Sequence, residues 1–365
     1  MSTERTPAFL PGLELSRILY EEGVRPVLAD AFPGLDYAAA RVGSGSEVLG
    51  LDTPRSADHE WGPRLNLFLT DADADADVDA LADEIHDVLA RRLPKHVRGW
   101  STHFRRDTGN PLDPVSGHMT RTQGPVDHRV SVDGAGVWLK RQVGYENAEL
   151  SPAQWLALPQ QRLVEVTAGA VFRDDAGTLT AARARLAWYP DEVWRYLLAC
   201  QWQRLSQEEA FVGRCAEVGD DLGSAVVAAR LVRDLMRLCL LLSRTYAPYS
   251  KWLGSVFARL PIAERLTPSL RGALAATHYA DRERHLCDAY ETVARLQNDS
   301  GLAEPVDPAR RPYHGRPFQV LHAERFAQAL ARTLADPALR DRPLTGAVDQ
   351  WADSTDYLTR SAPGS

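Results

Sequence analysis

The sequence predicts an α+β protein in which an N-terminal α/β domain precedes an all-α helical bundle. The first observation is a strand-type alternation: in the run Arg64–Thr70, every second residue is leucine, which is the period of a half-buried strand. The second is that helical periodicity dominates from about Ser151 onward, with apolar residues three and four apart. We therefore expect two domains, at residues 1–145 and 146–365.

The predicted α/β domain begins with a helix. Apolar residues recur at helical spacing from Leu15 to Phe32, and Pro33 and Gly34 end the pattern. A second helix is predicted over Val78–Leu93, after an acidic run that we interpret as a solvated loop. A further strand is predicted at Arg129–Val132.

The predicted bundle consists of several amphipathic helices, each with an apolar stripe of period 3.6. Their expected bounds are Glu192–Leu205, Val226–Tyr246, Tyr249–Leu260, Arg282–Leu296 and Arg325–Leu334.

Composition excludes several classes of protein. Of 365 residues, 44% are hydrophobic and 25% charged, which is typical of a folded globular chain. The net charge of −7 argues against a dedicated nucleic-acid-binding surface, because such surfaces need an excess of Lys and Arg. The longest apolar run, Leu238–Leu242, is too short to span a bilayer. We therefore expect a cytoplasmic protein that does not enter membranes, with reduced cysteines.

One stretch carries candidate chemistry. Val42–Gly50 reads VGSGSEVLG, which matches neither a dinucleotide-binding fingerprint nor a P-loop. Small residues such as Gly43 let backbone amides approach a phosphate, and the hydroxyls of Ser44 and Ser46 can donate to its oxygens. The alternative is an ordinary tight turn after a strand.

Asp58 and Glu60 follow this stretch after a short segment. Residues two apart on a strand project to the same face, so the two carboxylates are expected to hold a divalent cation between them. Mg²⁺ or Mn²⁺ suits this ligand set and bridges to substrate phosphates.

A Gly-Ser turn, a short spacer and then Asp58-x-Glu60 resembles the signature of the DNA polymerase β-like nucleotidyltransferase superfamily. The wider segment Gly43–Arg64, and later blocks such as Tyr246–Trp252, resemble an uncharacterised bacterial family of predicted nucleotidyltransferases known only as a domain of unknown function. The resemblance implies a nucleotidyltransferase fold followed by a helical bundle, an arrangement similar to that of aminoglycoside nucleotidyltransferases. It implies a nucleoside triphosphate as substrate and no particular acceptor.

The chain departs from the superfamily at one position. A third carboxylate is expected between Val130 and Val132, where the sequence has Ser131. Serine cannot act as a carboxylate base at neutral pH. By strand alternation, Asp127 or Asp133 shares the face of Ser131 and either can substitute; Asp127 is our candidate catalytic acid.

Two cationic residues of the predicted bundle are candidate nucleotide contacts. Lys251 can neutralise triphosphate charge, as a helical-domain lysine does in the similar aminoglycoside enzymes, or it can pack beside Trp252. Arg214 can bind phosphate or form a structural ion pair with Asp220 or Asp221.

The sequence therefore favours a nucleotidyltransferase that moves a nucleoside monophosphate to a hydroxyl of a small molecule or a protein. Two alternatives stay open. One is a nucleotide-binding or regulatory protein that has lost turnover, and the other is a helical interaction module with a vestigial site.

Overall fold

A computed structural model describes residues 7–58, 60–69, 78–106, 117–145 and 148–359, without the side chains of Asp58 and Arg106. The strands are β1 Tyr37–Arg41, β2 Arg64–Leu69, β3 His96–Val97, β4 Trp100–Ser101, β5 Phe104–Arg106, β6 Gly117–Met119, β7 Arg129–Gly134, β8 Ala170–Asp174, β9 Arg311–Pro312 and β10 Gln319–Val320. The α-helices are α1 Gly12–Ile18, α2 Arg25–Ala31, α3 Val78–Arg92, α4 Ala135–Val143, α5 Pro152–Ala157, α6 Gln160–Thr167, α7 Thr178–Arg185, α8 Asp191–Glu208, α9 Phe211–Glu217, α10 Asp221–Leu242, α11 Ser250–Phe257, α12 Ala263–Ala275, α13 Tyr279–Asp299, α14 Glu324–Ala331, α15 Pro337–Arg340, α16 Val348–Trp351 and α17 Thr355–Thr359.

The chain divides into two compact units, and the fold is α+β, as predicted. The first unit comprises Met1–Glu149, Arg162–Ala187 and Ser361–Ser365; the second comprises Leu150–Gln161 and Trp188–Arg360. These bounds differ from the two predicted domains, because residues 162–187 cluster with the first unit.

The first unit is built around a four-stranded sheet of order β7-β2-β1-β8. Strand β1 is antiparallel to β2 and β8, whereas β2 and β7 are parallel. The alternation that predicted β2 is confirmed: Leu65, Leu67 and Leu69 are at most 2% exposed and pack in one core. The opposite face of β2 carries Arg64 and Asn66, which are only partly buried.

Strand β8 lies in a part of the chain where the sequence predicted only helices. Its residues, Ala170–Asp174, are all half-buried, so its five positions lack the buried-and-exposed alternation that marks a strand. Pairing with β1 fixes the segment as a strand. This pairing also explains why residues 162–187 belong to the first unit.

The predicted first helix is present but contains an irregular turn. Between α1 and α2 the chain forms a π-helical segment, Leu19–Val24. Pro26, in the first turn of α2, lacks an amide hydrogen for the helical ladder. A π turn ahead of it accommodates the missing donor.

The second unit confirms the amphipathic helices that periodicity predicted. Trp202 of α8 is fully buried, stacks on Phe326 of α14 with ring centroids 4.6 Å apart, and donates through Nε1 to Gln297 Oε1 at 3.0 Å. Burial raises the pKa of the Cys200 and Cys239 thiols to about 12, which suits reduced structural cysteines. In the described ranges, no helix has both the length and the apolar composition needed to cross a bilayer.

Candidate functional site

A buried ion pair holds the turn that follows β1. Arg41 Nε donates to Glu47 Oε1 at 2.9 Å, and Arg41 Nη2 donates to the Ser44 carbonyl oxygen at 2.6 Å. Both charged side chains are 3% exposed. Because an isolated buried charge is costly, each partner depends on the other. The pair therefore fixes the path of the Gly-Ser segment.

The glycines of this turn are required by close packing and by backbone geometry. A Cβ on Gly45 would lie 2.5 Å from Glu47 Oε2 and 2.7 Å from Arg41 Nη2, and the φ of Gly45 is +143°. Gly43 has a φ of +87°, in the region that favours glycine. The ion pair beneath the turn thus explains Gly45, whereas Gly43 is explained by its backbone conformation.

One polar group of the turn is hydrogen-bonded within the protein, and its two serines are exposed to different degrees. Gly43 N donates to the Glu165 carbonyl oxygen at 2.8 Å, so this amide is engaged within the protein. Ser44 is exposed and Ser46 is partly exposed. Ser44 and Ser46 are therefore at least partly accessible to a ligand, whereas the Gly43 amide is engaged in holding the turn.

The predicted carboxylate pair does not lie on a strand, which corrects our expectation. Asp58 is the last residue of a 3₁₀ helix, Pro54–Asp58, and Glu60 has a left-handed φ of +46° ahead of β2. Strand alternation therefore cannot place the two carboxylates on one face. The side chain of Asp58 and the whole of His59 lie outside the described residues.

Glu60 is held by β6 instead. Gly117 N donates to Glu60 Oε1 at 2.6 Å, and Glu60 N donates to the Gly117 carbonyl oxygen at 3.1 Å. Arg129 Nη2 lies 3.7 Å from the same carboxylate oxygen, and Arg64 Nη1 donates to the Glu60 carbonyl oxygen at 2.5 Å. This mutual backbone and side-chain pairing fixes one carboxylate at the start of β2.

Asn66 links the Gly-Ser turn to the position of the missing acid. Its Oδ1 accepts from Val42 N at 3.2 Å, and its Nδ2 donates to Ser131 Oγ at 3.0 Å. Asn66 and Ser131 are also directly opposite each other in the parallel ladder of β2 and β7. Asn66 of β2 therefore joins the start of the Gly-Ser turn, just after β1, to Ser131 on β7.

Asp127 and Asp133, the two acids expected to replace the missing carboxylate, have different positions. Only one of them lies on the strand of Ser131. Asp133 lies on β7, where its carboxylate pairs with Arg141. Asp127 precedes the strand: its amide donates to His103 Nδ1 at 2.8 Å, and its carbonyl oxygen accepts from Phe104 N at 2.8 Å. These bonds tie Asp127 to β5, so the expectation that it shares the face of Ser131 by strand alternation is wrong.

Among the described side chains of the site, three arginines lie beside two carboxylates. Arg41, Arg64 and Arg129 surround the carboxylates of Glu47 and Glu60, and Arg64 Nη1 lies 3.7 Å from Glu47 Oε1. Burial, followed by repulsion from Arg41, lowers the pKa of Arg64 to about 10. The lowered pKa reflects the loss of water around this guanidinium and its closeness to Arg41.

Arg129 is the least satisfied member of this cluster. Its Nε and Nη2 atoms are buried without a hydrogen-bond partner among the described residues. Its guanidinium lies over the Phe104 ring at 5.5 Å. Nη2 nevertheless lies 3.7 Å from Glu60 Oε1, so the charge of this partly exposed guanidinium is balanced by that carboxylate.

The described residues do not assemble a complete set of metal ligands. In the described part of the chain, no group of three or more His, Cys, Asp or Glu side chains gathers in ligand geometry. Glu60 supplies one carboxylate, and Oε1 of that group is shared between the Gly117 amide and Arg129. A cation held here would need the carboxylate of Asp58 as well.

The candidate residues of the second unit have ordinary structural contacts. Lys251 Nζ lies 4.8 Å from the Trp252 ring centroid, which is the packing alternative to a phosphate contact. Arg214 lies over the Phe211 ring at 5.8 Å. Among the residues that the structure describes, Arg214 forms no ion pair with an acid; Asp220 instead accepts from Gly223 N at 2.7 Å and caps α10.

Three structural members of the site were not predicted as site residues: Arg41, Glu47 and Asn66. A sequence signal existed for Glu47, because a charged residue directly before Val48 and Leu49 is unexpected in an apolar environment unless it is paired. Asn66 is the one polar residue within the alternating β2 pattern after Arg64. Its partners, Val42 just after β1 and Ser131 on β7, are remote in sequence and could not be predicted from the pattern.

Comparison with known proteins gives limited information. The family described as "Domain of unknown function (DUF4037)" matches residues 155–253, less than a third of the chain. No curated protein matches. A solved structure, a nucleotidyltransferase-like protein from Exiguobacterium sibiricum 255-15, aligns over 77% of each chain with 12% identity and a TM-score of 0.33. This structural similarity is too low to assign a fold or an activity.

Proposed function

We propose that this chain is a nucleotidyltransferase that transfers a nucleoside monophosphate from a nucleoside triphosphate to a hydroxyl group. The observation that supports it is the network centred on Asn66, which joins the backbone after β1 to Ser131 on β7. It brings the Gly-Ser turn, the strand after Asp58-x-Glu60 and the third-acid position into one region of one sheet. This proximity supports the proposal, because the Gly-Ser turn and the position of the expected acid would both face a bound nucleotide.

In this proposal, Ser44 and Ser46 donate to phosphate oxygens of the nucleotide. Arg64 and Arg129 supply positive charge beside the turn. A divalent cation, Mg²⁺ or Mn²⁺, would be held by Asp58 and Glu60 and would neutralise charge on the triphosphate. From the helical unit, Lys251 and Arg214 remain predicted triphosphate contacts.

The proposed reaction is an in-line displacement at the α-phosphorus. The hydroxyl oxygen of the acceptor forms a bond to that phosphorus, and the bond to the leaving pyrophosphate breaks. The hydroxyl proton passes to a base, for which Asp127 is the sequence candidate. The acceptor is a small molecule or a protein side chain.

A second candidate function is nucleotide binding without turnover. It is favoured by Ser131, whose hydroxyl accepts from Asn66 at the position where the superfamily has an acid. A neutral hydroxyl can support a bound nucleotide but cannot take a proton as a carboxylate does. Binding by the Gly-Ser turn is common to both candidates.

Incubation with each α-labelled nucleoside triphosphate, Mg²⁺ or Mn²⁺, and a mixture of metabolites and proteins tests the proposal. We expect label to be transferred to an acceptor, with loss in Asp58→Asn and Glu60→Gln. Glu84→Gln is the matched control, because Glu84 is an exposed acid in α3. Metal-dependent binding without transfer would favour the second candidate. If neither transfer nor Asp58-dependent binding were observed, both candidate functions would be contradicted. The alternative of a vestigial site would then be favoured.

A further inference from the structure

An apolar pocket lies between two helices of the first unit, α4 and α7. Its volume is about 250 Å³, slightly below the usual range for drug-sized ligands. Along each helix the lining positions recur three and four residues apart, so that one face of each helix forms a wall. None of the residues proposed above to bind phosphate or metal lines this pocket.

The walls of the pocket are apolar, and several of their side chains are small. Gly136 on α4 and Ala182 on α7 leave the space between the two helices unfilled. Trp138 and Leu179, one from each helix, are buried beside that space. The described lining contains no Asp or Glu. Such a pocket favours a ligand that buries apolar ring surface.

Trp138 supplies an unsatisfied polar group at the pocket. The residue is 5% exposed, and its indole nitrogen donates to no other residue that the structure describes. Four other buried tryptophans, Trp61, Trp100, Trp194 and Trp202, each have an acceptor for this nitrogen, as is usual for a buried indole. A ligand in the pocket that presents a ring nitrogen or a carbonyl oxygen would supply the missing acceptor.

The pocket adjoins the face of the sheet that carries the candidate site. Phe68 and Asn66 are two residues apart on β2 and therefore share a face. The Phe68 ring packs against Trp138 with ring centroids 5.0 Å apart, and Asn66 donates to Ser131 at 3.0 Å. Because a strand advances about 3.3 Å per residue, these two contacts lie roughly 7 Å apart along β2.

A second connection runs through α6. Val166 lines the pocket, and the carbonyl oxygen of Glu165, the residue before it, accepts from Gly43 N at 2.8 Å. Gly43 begins the Gly-Ser turn, whose serines are proposed to bind phosphate. The pocket is therefore next to the proposed phosphate site through α6 and next to the Asn66 network along β2.

We infer that this pocket receives the base of the nucleoside triphosphate and that the base is a purine. The inference rests on the proposed nucleotidyl transfer. Apolar walls stabilise a ring in proportion to the apolar area that it buries, and a purine has more of this area than a pyrimidine. Trp138 Nε1 donates to an acceptor atom of the purine, and the phosphates extend toward Ser44 and Ser46.

Nucleosides, which lack phosphate, test the pocket separately from the Gly-Ser turn. Equilibrium dialysis of the full chain with labelled adenosine, guanosine, cytidine and uridine measures which base binds, and we expect a purine nucleoside to bind most tightly. Trp138→Phe keeps a ring against Phe68 but removes the N–H. It should bind that nucleoside about fivefold more weakly, as expected for the loss of one neutral hydrogen bond. Trp351→Phe, at an exposed tryptophan of the second unit, should bind it as wild type does.

A matched pair of variants in α7 tests whether the pocket itself is the binding site. Ala182 lines the pocket, whereas Ala184, on the same helix, is exposed and lies outside the lining. Ala182→Phe should fill the space and weaken the purine nucleoside at least about tenfold, while Ala184→Phe should leave its affinity unchanged. Equal urea midpoints would show that the difference is not due to unfolding. If Ala182→Phe is less stable, the comparison of Trp138→Phe with wild type decides.

The results distinguish this inference from the proposed function. If nucleotidyl transfer depends on Asp58 while Trp138→Phe and Ala182→Phe bind nucleosides as wild type does, the base lies elsewhere and the proposed function stands. If a purine nucleoside binds through Trp138 and Ala182 while no transfer occurs, the base pocket stands and the nucleotidyltransferase proposal fails. Tighter binding of cytidine or uridine than of both purine nucleosides would overturn the inference. Failure of all four nucleosides to bind wild type at millimolar concentration would overturn it as well.

Discussion

Arg41 and Glu47 form a buried ion pair beneath the Gly-Ser turn, with Arg41 Nε 2.9 Å from Glu47 Oε1. The same guanidinium also donates to the Ser44 carbonyl oxygen. The turn is therefore fixed from inside the protein, while Ser44 is exposed and Ser46 is partly exposed. This arrangement makes the local stability of the turn depend on one pair of charges.

Replacing Glu47 by Gln should destabilise the first unit strongly. Arg41 would remain buried without a counter-charge, and breaking a buried pair in this way costs about 3 kcal/mol. The free energy of unfolding from urea titration measures the loss. Glu84→Gln, which removes an exposed acid from α3, should change it by less than about 0.5 kcal/mol. Equal stability of Glu47→Gln and wild type would show that the pair does not hold the turn.

Ser131→Asp should raise the rate of nucleotidyl transfer if the missing acid limits turnover. The new carboxylate would occupy the expected acid position and can accept from Asn66 Nδ2, as the serine hydroxyl does. Ser131→Asn is the matched control, because it has the same size without a charge. General-base catalysis contributes about 10²-fold or more, so the labelled transfer assay can detect the gain. No difference between the two variants would place the limiting step elsewhere.

His128 should make stability fall as the pH is lowered below neutrality. Burial lowers the pKa of this imidazole to about 4, against about 6.5 in an unfolded chain. Its Nδ1 accepts from Val130 N at 3.2 Å, and its Nε2 donates to the His86 carbonyl oxygen at 3.1 Å. The bond that Nδ1 accepts requires the neutral ring, whereas Nε2 can donate in either protonation state. The stability is fully present above about pH 6.5 and is lost as the pH falls toward 4, by at most about 3 kcal/mol.

Urea unfolding between pH 7 and pH 4 tests this dependence on His128. His128→Asn retains an acceptor for Val130 N but does not titrate, so its stability should fall less steeply with falling pH than that of wild type. His278→Asn, at an exposed histidine, should follow wild type. Parallel curves for all three proteins would exclude His128 as the source of the slope.

Glu209→Ala should destabilise the second unit. The buried carboxylate of Glu209 accepts from Leu321 N at 2.7 Å and from Ala323 N at 2.9 Å, and its removal leaves both amides without these partners. Each unsatisfied buried amide costs about 1–3 kcal/mol. Thermal unfolding should show a clear decrease in Tm. The adjacent Glu208 pairs with Arg230 at 2.6 Å in a partly exposed bridge, and its Ala variant should cost less than about 1 kcal/mol.

The sequence by itself determined the α+β class, the strand β2 and the amphipathic helices of the second unit. These features follow from local periodicity, which a linear pattern contains completely. It also indicated the Gly-Ser segment and Ser131 as candidate positions for the proposed chemistry. The residues that contact these positions could not be predicted from the sequence.

Tertiary structure alone decided which residues meet at the site. The pairing of β8 with β1, and the Asn66 bonds to Val42 and Ser131, connect segments that are remote in sequence. Strand alternation was wrong for Glu60 because this residue lies ahead of β2 and has a left-handed φ. The two-residue alternation of a strand does not extend to it. Long-range hydrogen bonds and buried charge pairs, which leave no periodic trace in the sequence, set the geometry of the candidate site.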